Sequence, residues 1–145
     1  MVEAVDLLLA EDNPTDLELT LHALKSIKNQ RRIQVARDGV EVLEYLYGKE
    51  LRLDQSPLAR PRVIWLDIKL PRIDGLDVLE RIKTNPFTRD IPVVMLTSSS
   101  ILEDIDHAYR MGANSFIIKP IEYEAFVDTV KTLGKYWLNL NVIKS

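Results

Sequence analysis

The chain has no cysteine, which removes disulfides, thiolate metal sites and cysteine nucleophiles from consideration. It has only two histidines. His22 and His107 both fall in segments that read as helical, without a partner at ligand spacing, and are read as surface or packing residues. A basic excess is also missing: 19 Lys and Arg stand against 22 Asp and Glu, for a net charge of −3. That balance argues against a nucleic-acid or anionic-membrane surface. No apolar run approaches the roughly 18 residues of a membrane span, and Met1-Val2-Glu3-Ala4 lacks the basic start of a secretion signal. A cytoplasmic protein is expected. What remains is 145 residues, 46% hydrophobic and 28% charged, enough for one domain with a sizeable core.

The most informative stretch is Arg62-Val63-Ile64-Trp65-Leu66-Asp67, an apolar run too short for a helix that ends in a carboxylate. It reads as a central strand delivering Asp67 to the sheet edge. Val5 to Ala10 is a second buried strand, followed by Glu11-Asp12 and a helix capped by Asp12 or Asn13, with Pro14 in its first turn. Leu17, Leu21, Leu24 and Ile27 give that helix its core face. A short strand at Ile33–Ala36 precedes a helix over residues 40–47, stopped by Gly48. A long polar connection covers 49–61, with Pro57 and Pro61. Beyond Asp67, turn chemistry at 71–75 leads to a helix closed by Asn85-Pro86. Strands at 91–96 and 115–118 alternate with helices over 102–111 and from near Glu122. Five strands alternating with five helices predict a doubly wound α/β fold, a parallel sheet covered on both sides.

In such a sheet, chemistry gathers beyond the carboxyl ends of the strands. Those ends carry Glu11 with Asp12, Asp67, Thr97 and Lys119. Each alone has an ordinary explanation as a cap, a turn former or a solvated side chain. Together they place three carboxylates, a hydroxyl and an ammonium on one edge. Clustered carboxylates repel and raise one another's pKa unless a cation neutralises them, and oxygen-only ligands suit Mg²⁺. The three acids balance one divalent ion plus Lys119. A phosphoryl group on Asp67 brings about −2 while removing the carboxylate's own charge. The residual charge calls for donors, which Thr97 and the backbone N–H groups past Asp67 and Thr97 can supply.

Glu11-Asp12, Leu66-Asp67 with Leu70-Pro71 and Asp74-Gly75, Val94-Met95-Leu96-Thr97, and Gly112-Ala113 leading to Lys119-Pro120 resemble the receiver domain of two-component response regulators. The resemblance covers residue 5 to about 133 and implies the flavodoxin-like receiver topology. It implies a non-enzymatic signalling protein that a histidine kinase phosphorylates on Asp67, with self-catalysed transfer and autodephosphorylation. It also implies Mg²⁺ held by Asp12, Asp67 and the Lys69 carbonyl, with Glu11 acting mainly through water. Lys119 and Thr97 would contact the phosphoryl group, Phe116 would be the switch aromatic coupled to Thr97, and Lys119-Pro120 would be a cis peptide. Lys69 and Ser99 would flank the hydrolytic water and tune dephosphorylation. The long 49–61 connection and the aromatic, apolar tail 136–143 resemble the stand-alone receivers that partner phytochrome-type photoreceptor kinases.

Three other readings compete. A haloacid-dehalogenase-type, Mg²⁺-dependent aspartyl phosphatase needs a second Asp two residues past the nucleophile, where Lys69 stands. A nucleotide or flavin module needs a glycine-rich first turn, which Glu11-Asp12-Asn13-Pro14 is not. A phosphorylation-independent scaffold or dimerisation module would not require all five site residues. A single receiver domain over 1–145 is expected, with a helical extension and tail from about 134. With only about eight residues after Trp137, the signal is expected to leave through a surface to a downstream protein. Tyr136, Leu140, Val142 and Ile143 exceed what one core face uses and predict a homodimer contact.

Overall fold

The computed structural model describes residues 5–28 and 31–143, so the expectation placed on Met1 to Ala4 lies outside the described residues, as do positions 144 and 145 of the tail. β1 (Leu7–Ala10) and β3 (Val63–Leu66) are buried along their whole length, as uninterrupted apolar runs require. They join β2 (Ile33–Ala36), β4 (Val93–Thr97) and β5 (Ser115–Ile118) in one parallel sheet of order β2-β1-β3-β4-β5. This is the doubly wound, flavodoxin-like order, whose reversal point lies between β1 and β3.

The alternation of side chains along each strand divides the core. Leu7, Leu9, Val63, Trp65, Val94 and Leu96 face α1 (Pro14–Lys25) and α5 (Tyr123–Gly134). Leu8, Ala10, Ile64, Leu66, Val93 and Met95 pack on the other side, with α2 (Gly39–Tyr47), α3 (Gly75–Thr84) and α4 (Leu102–Met111). α3 must begin at glycine: a Cβ on Gly75 would lie 1.9 Å from the Asp67 carbonyl oxygen, and the Gly75 N–H donates to Ile68 O at 2.6 Å. That contact presses the start of α3 against the segment that presents Asp67.

The end of the chain departs from the expected periodicity. α5 passes directly into a π-helical segment, α6 (Lys135–Leu140), marked by a 2.6 Å bond from the Asn141 N–H to Tyr136 O. The wider turn lets two consecutive residues, Trp137 and Leu138, both bury against the α1 side of the core. Arg31 then binds the Asn139 side chain and Arg62 the Asn141 carbonyl, which strap the tail to the body. Tyr136, Leu140 and Val142 are exposed, as expected. Ile143 is the correction: it turns back beside Arg60, Arg62, Ile91 and Pro92 and is half-buried, because the strapped backbone carries it onto the sheet's amino end.

Candidate functional site

Four parallel strand ends meet at one edge of the sheet. Glu11 and Asp12 follow β1, Asp67 follows β3, Thr97 closes β4 and Lys119 follows β5. Because β3 lies between β1 and β4, Asp67 occupies the middle of the row, with its neighbours about 5 Å away on each side.

Asn13 organises the acidic side. Its backbone N–H donates to Glu11 Oε2 at 3.1 Å, while its side-chain oxygen caps α1 by accepting from the N–H groups of Thr15 and Asp16 at 2.9 and 3.0 Å. The buried Lys119 ammonium then joins the acids. It donates to Glu11 Oε1, to Asp67 Oδ2 at 2.9 Å and to Asp16 Oδ2 at 3.0 Å. Sequence reasoning missed Asp16. As the third residue of a helix it has an ordinary explanation in the helix dipole, and only its place one turn along from Asn13, on the strand-end side, hinted at more.

Burial pushes the Glu11 carboxyl up to about 7, and the Asp67 charge adds to the rise, against the hydrogen bond and charge of Lys119. Burial acts on Asp67 in the same direction, but the Thr97 hydroxyl, Lys119 and the Lys69 N–H outweigh it and hold this carboxyl below its ordinary range. Lys119, surrounded by acids, is raised despite its own burial. Asp67 is therefore the group held ionised at neutral pH, with no base needed to make it nucleophilic.

Glu11, Asp12 and Asp67 each offer one carboxylate oxygen within 4.8 Å of the other two. Two are buried and Asp12 is exposed, so the donor set is all oxygen and opens to water on one side. These donors fit a hard divalent cation that keeps several waters. Affinity for such an ion is expected to fall as pH drops through about 7, by up to about tenfold per pH unit, because protons compete for Glu11. Calorimetric titration across that range checks this, and a flat affinity would remove Glu11 from the ligand set.

The other expected residues fall as follows. Thr97 is fully buried; its hydroxyl accepts the Ser99 N–H at 3.4 Å and its carbonyl accepts the Lys119 N–H at 2.7 Å. Lys69 is exposed, and its N–H donates to Asp67 Oδ1 at 3.3 Å, which sets its backbone beside the acceptor. Ser99 is buried and its hydroxyl donates to Asp104 Oδ2 at 2.7 Å, so it ties β4 to the first turn of α4 instead of standing free at the carboxylates. Phe116 is half-buried, with its N–H bonded to the Tyr109 hydroxyl at 3.1 Å. The expected cis bond at Lys119-Pro120 is corrected: no cis peptide occurs among the described residues. The trans form is intrinsically favoured before proline, by about 0.5–1 kcal/mol.

The profile of the response regulator receiver domain matches residues 7–131. The chain belongs to the response regulator receiver family. Among curated proteins, this receiver is 38% identical to the probable methanogenesis regulatory protein FilR2 of Methanothrix harundinacea, over 97% of this chain and 90% of that one. It is 33% identical to the response regulator Rcp1 of Synechocystis, over 91% and 88%. The crystal structure of the phosphorylated cyanobacterial phytochrome response regulator RcpA matches with TM-score 0.87 at 32% identity, over 99% of this chain and 100% of that one. The Mn²⁺-bound form of Rcp1 matches with TM-score 0.87 at 29% identity, over 97% and 99%. Receivers of response regulators are signalling modules, and this one is related to those of phytochromes. No helix among the described residues is long and apolar enough to cross a membrane.

Proposed function

We propose that this receiver accepts a phosphoryl group on Asp67 from a histidine kinase and signals through the surface change that follows. The observation that carries the reading is the Asp67 carboxylate: central in the row, held ionised and bonded to Lys119 at 2.9 Å. An Asp67 oxygen forms a bond to phosphorus as the phosphorus–nitrogen bond of the donor phosphohistidine breaks, and the imidazole nitrogen leaves with the electron pair. Lys119 and the Thr97 hydroxyl donate to phosphoryl oxygens, and Asp67 gives up its carboxylate charge in the product. Glu11, Asp12 and Asp67, with the Lys69 carbonyl, would hold Mg²⁺. When bound, that ion supplies charge neutralisation for the acids and the incoming phosphoryl group.

The proposed readout runs from Thr97 to the surface. Drawing the Thr97 hydroxyl toward the phosphoryl group would free its Ser99 N–H partner and make room for an inward Phe116, shifting α4, which Ser99–Asp104 ties to the end of β4, and β5, which Tyr109–Phe116 ties to α4. The proposed output is a homodimer through Tyr136, Leu140 and Val142, whose exposure supports the reading. The likeness to RcpA and Rcp1 supports a phytochrome-type kinase as donor. The 38% identity to FilR2, a probable methanogenesis regulatory protein, carries a second reading, a histidine kinase that serves another signal.

Transfer from a panel of phosphorylated kinases of both types decides between donors. Label is expected on the receiver within minutes with Mg²⁺, and at least about a hundredfold more slowly after chelation. Label that ignores chelation would reject the metal's role. Sedimentation at micromolar concentration, with a phosphoryl mimic and without, is expected to show a dimer that the paired exposed-site substitutions Leu140→Ser and Val142→Ser weaken. A monomer in both states would reject the proposed output.

A further inference from the structure

One acid at the site has no part in the scheme above. Asp16 stands in the first turn of α1, and its side chain is 28% exposed where that of its partner Lys119 is only 5% exposed. Its backbone is placed by Asn13, whose side-chain oxygen accepts the Asp16 N–H, so the helix start does not depend on what the Asp16 side chain does. That side chain nevertheless reaches inward, to within 3.0 Å of Lys119 Nζ.

We propose that Asp16 is a positioning residue that draws the Lys119 ammonium toward α1 and competes with the phosphoryl group for it. The inference rests on the reading of Asp67 as phosphoacceptor. An ammonium has three N–H donors, and Glu11, Asp16 and Asp67 take one each. When Asp67 becomes an acyl phosphate it ceases to be a carboxylate, and the donor it held is released to a phosphoryl oxygen. Glu11 keeps its share: it is buried and its other oxygen is fixed by the Asn13 N–H. Asp16 holds the third donor from the solvent rim. It thereby limits Lys119 to one bond with the phosphoryl group, and it adds one more negative charge at a site that must admit an anionic donor. A purely structural acid at this place would act on the helix dipole alone, without changing what Lys119 does.

The test uses the full chain. In Asp16→Asn the shape is kept and the charge lost. Phosphorylation by a small anionic donor, acetyl phosphate, at saturating Mg²⁺ is expected to run about threefold faster, the scale of a partly exposed ion pair. Exchange of the Lys119 ammonium protons with water, followed by ¹H–¹⁵N NMR on the unphosphorylated protein, is expected to quicken. Asp16→Glu is expected to return both toward the wild type. Unchanged ammonium exchange overturns the proposal, and so does faster exchange with an equal or lower phosphorylation rate. If the wild type accepts no phosphoryl group from acetyl phosphate or any kinase, the reading of Asp67 fails instead. The exchange measurement, made without a donor, still decides whether Asp16 holds Lys119.

Discussion

Asp67→Asn is expected to abolish phosphoryl acceptance, with a loss on the order of a thousandfold or more. The amide has the shape of the carboxylate but no anionic oxygen to form the bond to phosphorus. Its neighbours are expected to stay in place: Asp67 is buried at the end of a fully buried strand, and its backbone is gripped by α3 through Gly75. The lowered pKa of Asp67 sharpens the prediction. Burial alone would favour the protonated form, yet Thr97, Lys119 and the Lys69 N–H reverse it. The site therefore keeps this carboxylate charged, although a neutral group would be easier to bury. Label transfer from a phosphohistidine donor to wild type and variant under one condition is the measurement. Transfer to the variant at the wild-type rate would move the acceptor elsewhere.

Lys119→Met is expected to have the second largest effect, in three directions at once. Phosphorylation should fall by about a hundredfold, the usual consequence of losing one preorganised donor to a developing oxyanion. Divalent-ion affinity should rise, since the ammonium no longer competes for Glu11 and Asp67. Stability without metal should drop by about 3 kcal/mol at most, because two buried carboxylates lose their counter-ion. The pH dependence follows from Glu11, which burial already pushes to about 7 and which loses its one lowering cation in the variant. Its folded pKa is then raised further above the unfolded value. The folded state binds the extra proton at low pH, and stability is lost as pH rises through the folded pKa. Denaturant unfolding at about pH 6 and about pH 8.5, with and without Mg²⁺, reads this directly. The variant should be weakest at high pH without metal and recover when metal is added. A deficit independent of pH and metal would show that Lys119 acts through packing alone.

Local pattern determined much of this protein. The buried runs at 7–10 and 63–66 could only be strands, and each was followed by a polar residue because the chain must leave the sheet there. The alternation of strand and helix then implied a parallel sheet, and a parallel sheet brings every strand's carboxyl end to one edge. Asp67, Glu11, Asp12, Thr97 and Lys119 follow from that rule. Tertiary structure alone decided the pairings. Lys119 meets Glu11 across 108 positions and Asp16 across 103, distances over which periodicity carries no information. It also decided that Ser99 answers to Asp104, that a π turn buries Trp137 and Leu138 side by side, and that Ile143 folds back. Each of these depends on a side chain finding its partner on another element, or on a backbone bond displaced by one residue. Spacing along the chain reports which face a residue occupies, whereas the partner opposite that face is set by how the faces pack.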